Sequence, residues 1–325
     1  MSFLSPAPVL PSLPPEGAQP LTTVYSYYLP EAREAAQRAL TPLPHGLLLE
    51  NLYPGLDELH QPLVDAYIDT FAGQVRGWET LPHRYPTAGS SEGLFHLMAA
   101  HAAEPDRLPL YQLDGEYQGY AAYAAALGLP MISLSADDLL TAPPGRVFIS
   151  HPSALDGNLL DADLLAGVVD RHRVVLDLAY LGTTRPLDVD LDHENIDAVV
   201  VSFSKPFGLY YYRVGLCFSR RDLPSLYGNK WFKNALSLQV GTTLLNDVDV
   251  EKLRRRYAAK QLEAVRRASD ALGVQLAPSD VWLLAHLPTG ERPSAALEPF
   301  RRGDGYRVCL TAYLMQMERE ERPHA

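Results

Sequence analysis

Cysteine is nearly absent from this chain of 325 residues: Cys217 and Cys309 are the two, and both sit in apolar runs. No disulfide framework is expected, and both thiols read as reduced core residues, the usage of a cytoplasmic protein. Long hydrophobic runs are missing as well. No apolar stretch approaches the roughly 18 residues that a membrane-crossing helix requires. The first residues, Met-Ser-Phe-Leu-Ser-Pro-Ala-Pro, lack a basic segment and carry prolines, so no signal peptide is expected. Positive charge is in short supply, with 28 Lys and Arg against 39 Asp and Glu and a net charge of −11. That balance argues against nucleic acid or an anionic membrane as partner. Lysine is scarcer still. Lys205 is followed by Lys230, Lys233, Lys252 and Lys260, and none precedes it. No internal repeat is visible.

The apolar share of 47% is ordinary for a soluble globular chain. The length suggests one large unit and a smaller one. Residues 1–45 read as an N-terminal arm and helix, with the helix over Pro30 to Leu40. Residues 46–245 read as the large unit and 246–325 as the small one. A Pro54-Gly55 turn predicts a helix from Leu56. In the small unit, Lys252 to Leu272 is a charged helix with Leu253, Leu262, Ala264, Val265 and Leu272 as its apolar stripe and its arginines as a solvated face. Val281 to Leu287 and Tyr306 to Leu310 read as strands.

The chain is organised around Val199 to Gly215. A continuous apolar run, a buried strand, breaks into Ser202-Phe203-Ser204-Lys205-Pro206-Phe207-Gly208, and a second apolar run, Val214 to Phe218, follows. A lysine just past a buried strand is easily desolvated. Desolvation disfavours the ammonium and leaves a nucleophilic amine at neutral pH, which Schiff-base chemistry needs. Ser202, Ser204 and Arg213 offer hydroxyls and a fixed cation suited to a phosphate. Upstream, the turn Gly89-Ser90-Ser91 opens a helix whose first N–H groups and dipole favour an anion. Val174-Val175-Leu176 is another buried strand, with Asp177 at its carboxyl end, where ligands of open α/β sheets gather. Leu108 to Tyr111, the helix Ala121 to Leu127, and Met131 to Leu134 follow strand–helix–strand grammar, and Arg146 to Ser150 adds a strand, so a parallel sheet is expected. His151 and His286 read as structural, with no second metal-type ligand at useful spacing.

Ser-Phe-Ser-Lys-Pro-Phe-Gly-Leu-Tyr-Tyr-Tyr-Arg-Val-Gly, 202–215, resembles the lysine segment of pyridoxal-phosphate enzymes of fold type I, aminotransferase class I/II, with the aspartate aminotransferases nearest in wording. The resemblance implies a large domain with a mostly parallel seven-stranded sheet flanked by helices, and a smaller α+β C-terminal domain. It implies that Lys205 carries pyridoxal 5'-phosphate, that Arg213 grips the phosphate with Ser90, Ser91, Ser202 and Ser204, and that Asp177 pairs with the pyridine nitrogen. Tyr180 would bond the phenolic oxygen. Tyr117 would lay its ring on the pyridine face, with Tyr120 as second choice. Arg307, with Arg301 and Arg302 as competitors, would bind the substrate carboxylate. Tyr53 would reach across a homodimer into the partner's site. The turn His151 to Asn158 departs from the family wording. Ala154 stands where the family has the asparagine that bonds the phenolic oxygen, and Asn158 or Ser153 are candidates to replace it.

The implied activity is amino transfer from an α-amino acid to a 2-oxo acid. Elimination, replacement or cyclisation on the same carbanion, as on S-adenosylmethionine-type substrates, is the alternative. A catalytically silent binding module is disfavoured by the intact set of Lys205, Asp177 and Arg213.

Overall fold

Neighbouring residues of the apolar runs go to opposite sides of one sheet. In the computed structural model, which describes residues 18–24, 29–40, 59–231 and 234–321, every position of Ile196–Ser202 is buried. Val199 and Val201 join the core on one face, Ala198 and Val200 the core on the other. Val174 and Leu176 are divided from Val175 in the same way, and Val147 and Ile149 from Phe148. Burial on both faces, with a side-chain period of two, is why these strands read as unbroken apolar runs.

The principal elements are α1 (Pro30–Leu40), α2 (Gln61–Phe71), β1 (His83–Thr87), α3 (Ser90–Ala102), β2 (Leu110–Leu113), α4 (Gln118–Ala126), β3 (Met131–Leu134), β4 (Arg146–Ser150), α5 (Ala162–Arg171), β5 (Arg173–Asp177), β6 (Ile196–Ser202), β7 (Gly215–Ser219), α6 (Ala235–Asp247), α7 (Val250–Leu272), β8 (Ala277–Pro278), β9 (Leu284–His286), β10 (Arg301–Arg302), β11 (Gly305–Cys309) and α8 (Thr311–Glu321). Seven strands form the central sheet in the order β1-β7-β6-β5-β4-β2-β3. β7 runs antiparallel to both neighbours, and the remaining pairs are parallel. A second, antiparallel sheet has the order β8-β9-β11-β10. The segment Ala18–Val24 lies against it, and Leu21 pairs with Cys309. Both cysteines are free and buried. Among the described residues no helix is long and apolar enough to cross a membrane.

The α/β architecture and the mostly parallel seven-stranded sheet are as the resemblance implied, and the helix Pro30–Leu40 has the expected bounds. The expected helix start at Leu56 lies outside the described residues, and so does Tyr53. Three local readings are corrected. The helix after β2 begins at Gln118 rather than Ala121. Gly119 enters its first turn because a Cβ there would meet the Tyr117 ring at 2.2 Å. The strand expected over Val281 to Leu287 shrinks to Leu284–His286, because Val281 turns aside to bridge Thr184. On α7, Leu262 is 67% exposed. The buried stripe is Leu253, Tyr257, Gln261, Ala264, Val265, Ala268 and Leu272, and Leu262 sits about 100° round the helix from Gln261. Polar Gln261 belongs to the stripe because its Nε2 donates to the carbonyls of Ser279 at 2.7 Å, Val281 at 3.2 Å and Leu284 at 3.1 Å. The basic residues of α7 are not simply solvated either, for Arg256 and Lys260 both pair with Glu318 of α8.

β4 and β5 end together, and β6 runs two residues further. Ser150 and Asp177 are register partners, and Asp177 pairs with Val200 two residues before the end of β6. This carboxyl edge of the sheet is the floor of the site.

Candidate active site

Above that edge lies a cavity of about 340 Å³ whose lining includes Lys205, Asp177, Arg213 and Arg307. Lys205 is the second residue of the short helical turn Ser204–Phe207 that follows β6. Its ammonium donates to the carbonyl of Val24. Burial brings its pKa down from 10.5 to about 8, with Cys309 and Asp177 acting the other way and Arg307 and Arg213 adding to the fall. The amine is therefore available near neutrality, as the strand-then-lysine pattern implied.

Asp177 is 4% exposed at the end of β5. Oδ1 accepts from the Ala179 N–H at 2.9 Å and Oδ2 from the Tyr120 hydroxyl at 3.0 Å. Burial raises its pKa to about 6 against the pull of these two bonds and of Lys205. Tyr180 is buried in the same lining, and burial raises its phenol.

One group of cavity residues is built for an anion. Arg213 has φ 52°, in the left-handed region that non-glycine residues rarely occupy. In that conformation its Nη2 donates to the Ala88 carbonyl at 2.6 Å and to Ser91 Oγ at 2.9 Å. Gly89, with φ +81°, precedes α3, and a Cβ there would come within 2.8 Å of Arg213 Nη2. Glycine therefore lets the guanidinium approach the helix N-terminus at Ser90 and Ser91. Ser202 and Ser204 line the same cavity, and Ser204 Oγ is buried with no hydrogen-bond partner among the described residues. A cation, an open helix end and an orphaned hydroxyl make a donor set that fits a phosphate.

Arg307 comes from the second sheet, 7% exposed, and its Nη1 donates to the Ala154 carbonyl. Its Nε is buried without a partner among the described residues. Arg302 also lines the cavity and donates to the Thr22 carbonyl at 3.2 Å. Tyr117 is at the cavity wall, 40% exposed, with its ring edge-on to Tyr120 at 5.4 Å. Tyr120 itself is fully buried, outside the lining, and serves Asp177 instead. Ser90, Ser91, Tyr117, Asp177, Tyr180, Ser202, Ser204, Lys205, Arg213 and Arg307 are thus brought to one cavity; of the sequence candidates, Tyr53 alone lies outside the described residues.

Neither candidate for the place of the family asparagine turns toward the cavity. Asn158 bonds Asp156 at 2.7 Å and accepts from the Asp280 N–H at 3.1 Å, and Ser153 Oγ accepts from the Leu155 N–H at 3.1 Å. Sequence reasoning missed Glu116, a buried carboxyl in the lining. In an Asp-Gly-Glu-Tyr loop it reads as a surface charge. Its place directly after β2, at the carboxyl edge of the sheet, was the available signal.

Three comparisons bear on this geometry. The family model for aminotransferase class I and II matches residues 110–266. No curated protein matches the chain. Solved structures match over most of it. A histidinol-phosphate aminotransferase of Sinorhizobium meliloti, in complex with pyridoxal-5'-phosphate, is 16% identical over 95% of this chain and 92% of its own, with a TM-score of 0.65. An L-threonine-O-3-phosphate decarboxylase of Porphyromonas gingivalis is 14% identical over 92% of this chain and 100% of its own, with a TM-score of 0.62. An N-succinyldiaminopimelate aminotransferase of Mycobacterium tuberculosis is 18% identical over 81% of this chain and 76% of its own, with a TM-score of 0.63. The family match thus spans residues 110–266, just under half of the chain, and these solved structures share its fold.

Proposed function

We propose that this protein is a pyridoxal-phosphate enzyme that acts on an α-amino acid, with amino transfer to a 2-oxo acid as its reaction. The observation that carries the reading is the placement of a buried Lys205 amine in one cavity with Asp177, Arg213 and Ser204. Pyridoxal phosphate, when bound, supplies an aldehyde that condenses with amines and a ring that draws electrons from the substrate Cα. Ser90, Ser91, Ser202, Ser204 and Arg213 would hold its phosphate, and Asp177 would hold a proton on its ring nitrogen. Tyr180 would contact the ring hydroxyl and Tyr117 the ring face.

Lys205 would bind the coenzyme and then carry the proton to and from the substrate Cα, a general-base role suited to a pKa of about 8. Arg307 would orient the substrate through its carboxylate. Thr23 and Val24 line the same cavity, and the Val24 carbonyl that accepts from Lys205 would help to keep water from the amine. We place the chain in the cytoplasm as a homodimer with shared sites, in amino-acid biosynthesis, and take 1–45 as arm and helix, 46–245 as the large unit and 246–325 as the small one.

The test is direct. The purified protein loaded with pyridoxal phosphate should absorb in the visible, and borohydride should fix the label on Lys205. A label mapped to Lys230, Lys233, Lys252 or Lys260 defeats the reading. A panel of amino acids assayed for 2-oxo acid formation then separates amino transfer from elimination, replacement or cyclisation. The second reading draws its support from the altered turn at Ala154, and a decarboxylase among the structural neighbours shows that this fold hosts more than one outcome.

A further inference from the structure

One buried ionisable group at the cavity floor has no part in the chemistry above. Glu116 is 4% exposed and lines the cavity. Ser150 Oγ donates to its Oε2 at 2.5 Å and the Tyr117 N–H donates to the same oxygen at 3.2 Å. Among the described residues Oε1 has only the Ser150 N–H, at 3.3 Å. Ser150 Oγ in turn accepts from the Ala154 N–H at 2.7 Å, so Glu116, Ser150 and the Ala154 backbone form one chain of bonds, and Arg307 closes its other end on the Ala154 carbonyl. Every one of these bonds to Glu116 is one that it accepts.

We infer that Glu116 is a further coenzyme-contacting residue of this site, a buried carboxylic acid that donates a hydrogen bond to the ring of bound pyridoxal phosphate beside Asp177. Three observations carry it. Donors crowd Oε2 and leave Oε1 weakly engaged, so Oε1 is the oxygen free to bear a proton and use it. Ala154 presents only a methyl group to this wall, and Asn158 and Ser153 are engaged elsewhere, which leaves Glu116, with Ser150 bonded to it, as a carboxyl at hand there. The groups facing Glu116 are Asp177 from β5, Tyr180 from the turn after it, Tyr117 and Tyr120 from its own loop and helix, and Ser150 from β4, and burial with Asp177 favours the neutral acid while the bonds from Ser150 and Tyr117 favour the charged one. The charged one acting on it, Asp177, has the same sign. Burial pushes the acid up to about 7, against the bonds from Ser150 and Tyr117.

The inference rests on the reading of the cavity as a pyridoxal-phosphate site. The experiment compares wild type, Glu116→Gln and Glu116→Ala, each as apoprotein and as holoenzyme. It reads the coenzyme dissociation constant, the infrared difference spectrum of holoenzyme minus apoprotein, and the melting temperature of the apoprotein. Gln keeps an acceptor for Ser150 and a donor for the ring, so its affinity should stay within about threefold of wild type. Ala should lose about three- to tenfold, the worth of one hydrogen bond. The wild-type difference spectrum should show a protonated-carboxyl band that is missing in Glu116→Gln.

The inference is overturned if Glu116→Ala binds coenzyme as tightly as wild type, or if Gln loses as much as Ala. It is also overturned if the band is missing in wild type or persists in Glu116→Gln, or if the Ala loss tracks a fall in apoprotein melting temperature with no spectral change, which would mark a merely structural role. Should Glu116→Ala fail to fold, the Gln variant and the infrared band decide alone. A wild-type chain that takes no coenzyme onto Lys205 overturns this inference together with its parent. Failure of the inference alone shows only in variants of a loaded wild type.

Discussion

The hydroxyl of Tyr120 donates to Oδ2 of Asp177 across 3.0 Å, from beneath the carboxylate rather than from the cavity. The ring of Tyr120 is fully buried and packs on Phe148 at 5.9 Å, so the bond holds Asp177 in one rotamer. It also favours the charged form of an acid that burial pushes the other way. Tyr120→Phe should therefore weaken coenzyme binding about three- to tenfold, and Asp177→Asn roughly ten- to a hundredfold, since a bond to a charged group contributes about 1.5–3 kcal/mol. Turnover should fall more steeply in Asp177→Asn than affinity does. Equal affinity and turnover in Asp177→Asn and wild type, by titration and steady-state assay, would remove Asp177 from the site.

Lys205 should react as an amine two to three pH units earlier than an ordinary lysine, because burial lowers its pKa from 10.5 to about 8. Acylation of Lys205 in the apoprotein, followed against pH by peptide mapping, should have its midpoint near 8. The sign for stability follows. A lysine depressed in the fold stabilises fully above its unfolded value of 10.5 and loses that contribution as pH falls toward 8. Wild-type apoprotein should thus gain on Lys205→Met between those two values in urea titrations.

Arg213→Ala should separate the phosphate from the ring. It removes the cation that bonds Ala88 and Ser91, so pyridoxal phosphate should bind at least about tenfold more weakly. Pyridoxal, which has no phosphate, should bind Arg213→Ala and wild type alike. Equal losses for both ligands would show that Arg213 does not meet the phosphate.

Much of this was legible in the sequence, for physical reasons that differ by residue. Strands buried on both faces leave unbroken apolar runs, so Val174–Leu176 and Val199–Val201 disclosed the sheet, and with it the carboxyl edge where Asp177 and Lys205 stand. The lysine-to-arginine spacing carried the anion end. Leu262 misled because helical stripes are read by apolarity, whereas α7 buries Gln261 to satisfy three carbonyls that no sequence pattern announces. Glu116 was hidden for the opposite reason. A charged residue in a glycine loop is ordinarily solvated, and only the meeting of β2 and β4 in the fold puts Ser150 above it.

Gln261→Leu should test that buried role. It keeps the volume but strips the donor from the Ser279, Val281 and Leu284 carbonyls. The loss should be about 1–3 kcal/mol, since the Ser279 carbonyl loses its donor while the Val281 and Leu284 carbonyls keep the Leu284 and Ser279 N–H groups. Urea unfolding should register it, and Lys205 should still take the coenzyme in the folded fraction.

Shared sites are tested by complementation. Tyr53→Ala and Lys205→Ala should each be inactive as homodimers. Co-expressed, they should recover part of the activity, because each hybrid carries one site with both native residues. No recovery from hybrids whose formation is verified by mass would place Tyr53 in its own subunit's site, and a monomer by light scattering with full activity would end the idea.

Val24 against the lysine and Thr22 against Arg302 bring together segments 181 and 280 residues apart in sequence. On the ribosome the Thr22 contact with Arg302 can form only when β10 has been synthesised, long after the central sheet has begun to form. Contacts this distant in sequence are closed late and slowly. The pocket is accordingly a property of the finished molecule, and a carboxyl-terminal truncation before Arg301 should yield chains that build the sheet yet fail to mature into coenzyme-retaining protein.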